Sequence, residues 1–171
     1  MIKLMGALFI IASCTYSSLR AVERLRRREE SMRTICFALS MMKSEMVSYL
    51  TSIPEIFKML SRDAQYPARR LFENAADECR GIGDETLYSI WKSAVEKTDE
   101  LLLNDYEKAA LCQVGACLGK YEVRDQAAIL DREISRFEQF RKNAETDRIK
   151  NGRLHGYLGV LAGVFIVIVL L

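Results

Sequence analysis

The sequence predicts an all-α fold: an antiparallel bundle of about six helices, the first and last long and continuing into apolar terminal spans. Three observations lead there. No segment reads as a strand. Between the ends of the chain, apolar residues recur at steps of three and four, and the stop signals fall at intervals that suit short helices joined by short connections. Finally, residues 4–19 and 156–171 are each sixteen residues without a formal charge, whereas the stretch between them is densely charged.

The two uncharged runs come first in the argument because they set the organisation. Sixteen helical residues rise ~24 Å, a little less than the ~30 Å hydrocarbon core of a bilayer. Lys3, Arg20, Arg153 and His155 flank the runs and can extend polar tips to the interface. The domain layout expected is therefore an N-terminal transmembrane helix at residues 1–20, a helical bundle at 21–153 and a C-terminal transmembrane helix at 154–171. Basic residues crowd the inner flanks: Arg20, Arg24, Arg26, Arg27, Arg28 and Arg33 after the first run, and Arg141, Lys142, Arg148, Lys150 and Arg153 before the second. Loops rich in Lys and Arg stay on the cytoplasmic side, so the bundle is expected in the cytoplasm. The arginine cluster is interrupted by Glu23, Glu29 and Glu30 and lacks an aromatic platform, and net charge is only +2. It reads as a segment meeting anionic membrane lipid, with no nucleic acid partner. Gly159 and Gly163 form a G-x-x-x-G, and Ser13 with Ser17 a small-x-x-x-small, both suited to close packing of membrane helices. A competing reading takes "IASC" at residues 11–14 as a lipoprotein processing site, with lipid on Cys14 and the domain outside the membrane.

The first helix continues out of the membrane. Met32, Ile35, Leu39, Met42, Met46, Tyr49 and Ile53 make one apolar stripe, either a bundle seam or the seam of a coiled-coil scaffold dimer. Pro54 ends that run, and Ser52 with Glu55 forms an S-x-x-E capping box, so a second helix begins near Ile53 and carries Ile56, Phe57 and Leu60 inward. Pro67 opens a third helix, terminated by Gly81 and Gly83. Asp84 is placed to cap a fourth, through Leu87, Ile90, Trp91, Ala94 and Val95. Asn104 and Glu107 form a second capping box, and Gly119 suits the left-handed end of that fifth helix. From about Asp125 a last helix carries Leu130, Ile134, Phe137 and Ala144 inward, with Ile149 continuing the buried side toward the tail.

Nothing in the pattern supports catalysis. His155 is the single histidine and sits at the expected membrane surface. No phosphate-cradling glycine motif is present, and Asp77 and Glu78 are adjacent on a helix and point apart. The five cysteines, Cys14, Cys36, Cys79, Cys112 and Cys117, form no C-x-x-C pair and are expected reduced, with Cys36, Cys112 and Cys117 on apolar faces. The expectation is a protein that is not an enzyme, with no catalytic residue, metal or cofactor.

Several segments, in order along the chain, resemble the stage III sporulation protein AB family of endospore-forming bacteria. "MIKLMGALFIIAS" is similar to the family's opening span, and Glu45 followed by "TSIPEIF" resembles E-I-x-x-x-x-T-P-L-P-E-A-F. "YPARRLF", Trp91, and "LCQVGACLG" with Gly115, Leu118 and Gly119 follow, and "LGVLAGVFIVIVLL" is similar to the C-terminal signature. Ser52 stands where the family usually has proline and Tyr49 where glycine is frequent. The resemblance implies a bundle similar to the platform protein (F) domain of type II secretion and type IV pilus machines. It also implies a mother-cell channel complex facing the forespore, other membrane components of that complex as neighbours, and a secretion-type ATPase of the same operon as cytoplasmic partner. Mechanical coupling of that ATPase to the membrane part is the mechanism it implies. Glu45, Thr51, Pro54, Trp91, Gly115 and Gly119 match the family pattern as structural or partner-binding candidates. Glu45 leads for partner binding, because a charge beside the seam has no structural reason in the sequence.

Overall fold

The computed structural model describes the backbone of residues 2–80, 86–118 and 123–170; the side chains of residues 2–11, 14, 123, 124, 153–160 and 162–170 lie outside the described set. Six α-helices and no strand make up the described residues: α1 (Ile2–Ser44), α2 (Ile53–Asp63), α3 (Ala68–Arg80), α4 (Leu87–Lys97), α5 (Asp105–Cys117) and α6 (Val123–Leu170). A π-helical turn, Glu45–Tyr49, follows α1, and a 3-10 turn, Asp99–Leu101, follows α4. The expectation of an all-helical chain with about six helices, the first and last long, holds.

The chain divides into two compact units, Glu30–Arg141 and the pair of segments Met1–Glu29 and Lys142–Leu171. In the first, Met32, Ile35, Leu39, Met42 and Met46 are all buried within a single chain, so the predicted seam is a core face. The stripe ends sooner than the sequence suggests. Tyr49 is 71% exposed, because the π turn widens the helix and rotates the next step of the stripe off the core face. Nor is Pro54 what stops the helix: Leu50 takes the left-handed conformation (φ 53°) four residues earlier and its N–H closes on the Glu45 carbonyl. Pro54 instead occupies the first turn of α2, where its missing N–H costs nothing.

The centre of this unit is aromatic. Phe57 of α2, Phe72 of α3 and Trp91 of α4 are fully buried and in mutual contact, with centroids 5.5 Å apart for Phe57 and Trp91, 5.7 Å for Phe72 and Trp91, and 6.2 Å for Phe57 and Phe72. Each such ring withdrawn from water contributes ~2–3 kcal/mol, which makes the triad the anchor of the α2–α3–α4 packing. Polar ties register the same helices. Asn74 donates to Thr98 Oγ1 (2.9 Å), and the Glu78 carboxylate accepts from Ser93 (2.8 Å) and Lys97 (2.6 Å). Lys43 of α1 bridges both oxygens of Asp131 on α6 at 2.6 and 2.7 Å.

Helix ends follow the capping chemistry read from the sequence, with one replacement. Asn104 and Glu107 exchange hydrogen bonds at the start of α5, both 2.9 Å. At α4 the cap is Thr86, whose hydroxyl accepts from the Ser89 N–H (3.2 Å); Asp84, expected in that role, lies outside the described residues, as do Gly81, Gly83 and Gly119. The threonine sits immediately before Leu87, where its hydroxyl is in register with the free donors of the first turn of α4.

In the second unit Glu29 pairs with Arg148, and Gly152 faces Val22, whose Cγ1 would lie 4.0 Å from an added Cβ. The α1–α6 contact here therefore runs along residues 144, 148 and 152, one i,i+4 row. Ile149 lies about 100° round the helix from Arg148 and is 47% exposed, contrary to the expectation that it continues the buried side. Among the described residues no helix is long and apolar enough to cross a membrane, which gives the two expected spans no support there. Most side chains of those runs, Gly159 and Gly163 included, are outside the described residues, although the backbone of both runs is helical.

Candidate functional site

Three of the candidate residues are brought together where α1 turns into α2. The Glu45 carboxylate accepts from the Thr51 hydroxyl (3.1 Å), and the Glu45 carbonyl accepts the N–H groups of Leu50 and Thr51, the latter at 3.3 Å. Glu45 therefore has a structural partner in its own chain, which the sequence did not reveal because the contact depends on the π turn and the left-handed Leu50. Beyond it, Glu55 accepts from both the hydroxyl (2.7 Å) and the backbone N–H (3.3 Å) of Ser52, and Ile56 donates to the Ser52 carbonyl (2.9 Å). The Ser52 hydroxyl, then its N–H, hold the Glu55 carboxyl below the ordinary carboxylate range. Ser52 thus supplies both a hydroxyl and an N–H that the carboxylate uses.

Tied down on its polar side, the corner presents an apolar one. Val47, Tyr49 and Leu50 are 46%, 71% and 73% exposed, a cluster of large apolar side chains on a turn fixed by backbone hydrogen bonds. Exposed aromatic and aliphatic side chains on a backbone held in this way suit partner binding, because the turn itself does not have to be ordered on contact. Neither Val47 nor Leu50 stood out in the sequence. Helical periodicity placed Leu50 among ordinary helix positions, and no local motif signals a π turn.

Trp91 and Gly115 meet elsewhere, between α4 and α5. The indole N–H donates to the Leu111 carbonyl (2.7 Å), and the side chain packs against Gly115, where an added Cβ would come 2.4 Å from Trp91 Cδ1. Both are fully inside, so their position is that of packing residues. Pro54 belongs to the corner by its place in the first turn of α2, and Gly119 lies outside the described residues.

No arrangement here activates a nucleophile. Burial, with Glu138 adding to it against Arg141, pushes the Cys36 thiol up to about 11, and burial is the first cause of the upward shifts of Cys79, Cys112 and Cys117. All four are free and keep their protons at neutral pH, so none is a ready thiolate. Among the described residues no group of three His, Cys, Asp or Glu could hold a metal.

The family model of stage III sporulation protein AB matches residues 3–171. The chain belongs to that family. It is similar to stage III sporulation protein AB of Bacillus subtilis (strain 168), 24% identical over 172 residues that cover 100% of both chains. A solved structure of stage III sporulation protein AB is similar in fold, with TM-score 0.66 and 21% identity over 72% of this chain and 98% of that one. The match reaches through both apolar runs, so the terminal runs are part of the family pattern as much as the helical unit between them.

Proposed function

We propose that the chain is a nonenzymatic membrane platform of the mother-cell sporulation channel complex, linking a cytoplasmic secretion-type ATPase to the membrane assembly. The single observation that carries this is the family match across residues 3–171, which places the chain in a sporulation family along its whole length. In this reading residues 4–19 and 156–171 cross the mother-cell membrane, the bundle between them is cytoplasmic, and other membrane components of the complex are its neighbours. The uncharged length of each run and the basic residues that border them support it. The corner of Glu45, Thr51 and Pro54, with Tyr49 and Leu50 exposed beside it, is the ATPase-docking candidate. Long helices without a break suit a mechanical link, since bending one requires breaking its hydrogen bonds.

The decisive experiment has two arms. In cells, an impermeant thiol reagent applied at alkaline pH, where the raised Cys79 and Cys112 thiols ionise, is expected to label them only after lysis. Labelling of intact cells, with lipid found on Cys14 by mass analysis, establishes the extracytoplasmic lipoprotein instead. In reconstituted vesicles, the ATPase is expected to bind the full chain, and a folded ATPase that shows no association removes the coupling mechanism.

A further inference from the structure

Charge is divided between the two units in a way the near-neutral total conceals. Met1–Glu29 with Lys142–Leu171 holds ten basic and four acidic residues, net +6, whereas Glu30–Arg141 holds fifteen and nineteen, net −4. Within the basic unit Glu23 is engaged with Arg27 (3.1 Å) and Glu29 with Arg148. Arg24 and Arg26 are exposed and have no ion pair among the described residues. Tyr16, Arg20, Arg24 and Arg27 follow each other at i+4, i+4 and i+3, which sets them in one stripe along α1. At its head the Arg20 guanidinium lies 4.9 Å from the centroid of the Tyr16 ring, and its Nε–H donates to the Tyr16 hydroxyl (2.8 Å). One of the five guanidinium donors is thus used to fix the group, and four remain for an outside acceptor.

We infer that this stripe is a binding surface for the phosphodiester headgroups of anionic lipid, with Arg20 in contact with phosphate and Arg24 to Arg27 held in the surface potential above it. The inference rests on the reading that the terminal runs span a bilayer. With the Tyr16 ring at the edge of the hydrocarbon, Arg20 lies ~6 Å further along the helix, inside a headgroup layer ~5–7 Å thick. Arg24 lies ~12 Å along, beyond the headgroups but within the ~8 Å Debye length at physiological salt. Tyr16 and Leu19, 56% and 63% exposed beside the arginines, decide between a bilayer and another polyanion. Apolar side chains adjoining phosphate-binding groups match a surface with hydrocarbon beneath its phosphates, and a nucleic acid backbone offers no such layer.

The test uses the full chain reconstituted in phosphatidylcholine vesicles containing a trace of spin-labelled lipid, either phosphatidylglycerol or phosphatidylcholine. The fraction of label immobilised at the protein reports relative association. One arginine near an anionic surface is worth about a fivefold preference. Phosphatidylglycerol is therefore expected to be favoured by about fivefold or more, with the preference collapsing toward one in ~1 M salt, where the Debye length is ~3 Å. The triple variant R20Q/R24Q/R27Q removes the charge of the whole stripe, keeps good helix formers at exposed positions and is expected to treat both lipids alike. Inorganic phosphate at constant ionic strength is expected to leave the preference intact; competition by it makes this a soluble-anion site and overturns the lipid assignment. A chain that resists alkaline carbonate extraction yet shows no preference, or a triple variant that keeps it, overturns the lipid-binding stripe alone. A chain that carbonate strips from the vesicles overturns the spanning reading, and with it the placement of Tyr16 on which the stripe's assignment depends.

Discussion

Gly115 shows how much a missing methyl group can decide. Its Cα carries the Trp91 ring, and an added Cβ would sit 2.4 Å from Cδ1, closer than any relaxation of a stacked indole can relieve without moving Phe57 or Phe72 as well. Gly115→Ala is therefore expected to lose ~2–3 kcal/mol despite the better helix propensity of alanine, seen as a lower urea midpoint at unchanged slope. Combining it with Trp91→Leu is expected to cost less than the sum of the two changes, because the smaller side chain vacates the space the methyl needs. At the corner, the depressed Glu55 pKa carries a pH signature. A carboxyl held below its unfolded value contributes stability that is fully present above that unfolded value and is lost as pH falls through the folded one. Replacing it by Gln is expected to flatten the acid limb of the stability profile and leave its shape above neutrality unchanged. Glu45 is the residue whose reading changed most. The sequence shows a charge beside an apolar stripe; only the three-dimensional turn shows that Thr51 answers it.

Elements were legible where periodicity and capping chemistry agree. The capping boxes at Ser52 and Asn104, the inward faces of α2 and α4, and the two long bracketing helices all follow from residue type and spacing. What escaped was geometry that no short pattern encodes. A π turn and a left-handed leucine end the apolar stripe before Pro54, and the α1–α6 contact in the basic unit runs one residue away from Ile149. Leu50→Gly tests the first of these directly. Because the side chain is mostly exposed and φ is positive, glycine is expected to stabilise the fold by ~0.5–1 kcal/mol while removing an apolar contact from the candidate docking surface. A loss of ATPase binding in so stable a variant cannot be put down to misfolding. The stripe upstream behaves differently: Leu39 and Met42 are buried within one chain, so Leu39→Glu is expected to abolish cooperative unfolding outright rather than convert a dimer to a monomer.

For the molecule as a whole, the fold class and the family pattern were readable from the chain, whereas the partition into units was not. Composition averages over 171 residues and hides it, since a net charge of +2 arises from two parts of opposite sign. Membrane attachment is likewise a statement about the terminal runs and not about the interior fold, which is why the aromatic triad could serve the same architecture with or without a bilayer nearby. The opposed signs have a practical outcome at the bench. With a sequence pI near 8.3, the entire polypeptide should pass through an anion-exchange column at neutral pH, while a proteolytic core corresponding to Glu30–Arg141 should be retained and elute with salt. Chromatography alone would then follow the severing of one part from the other.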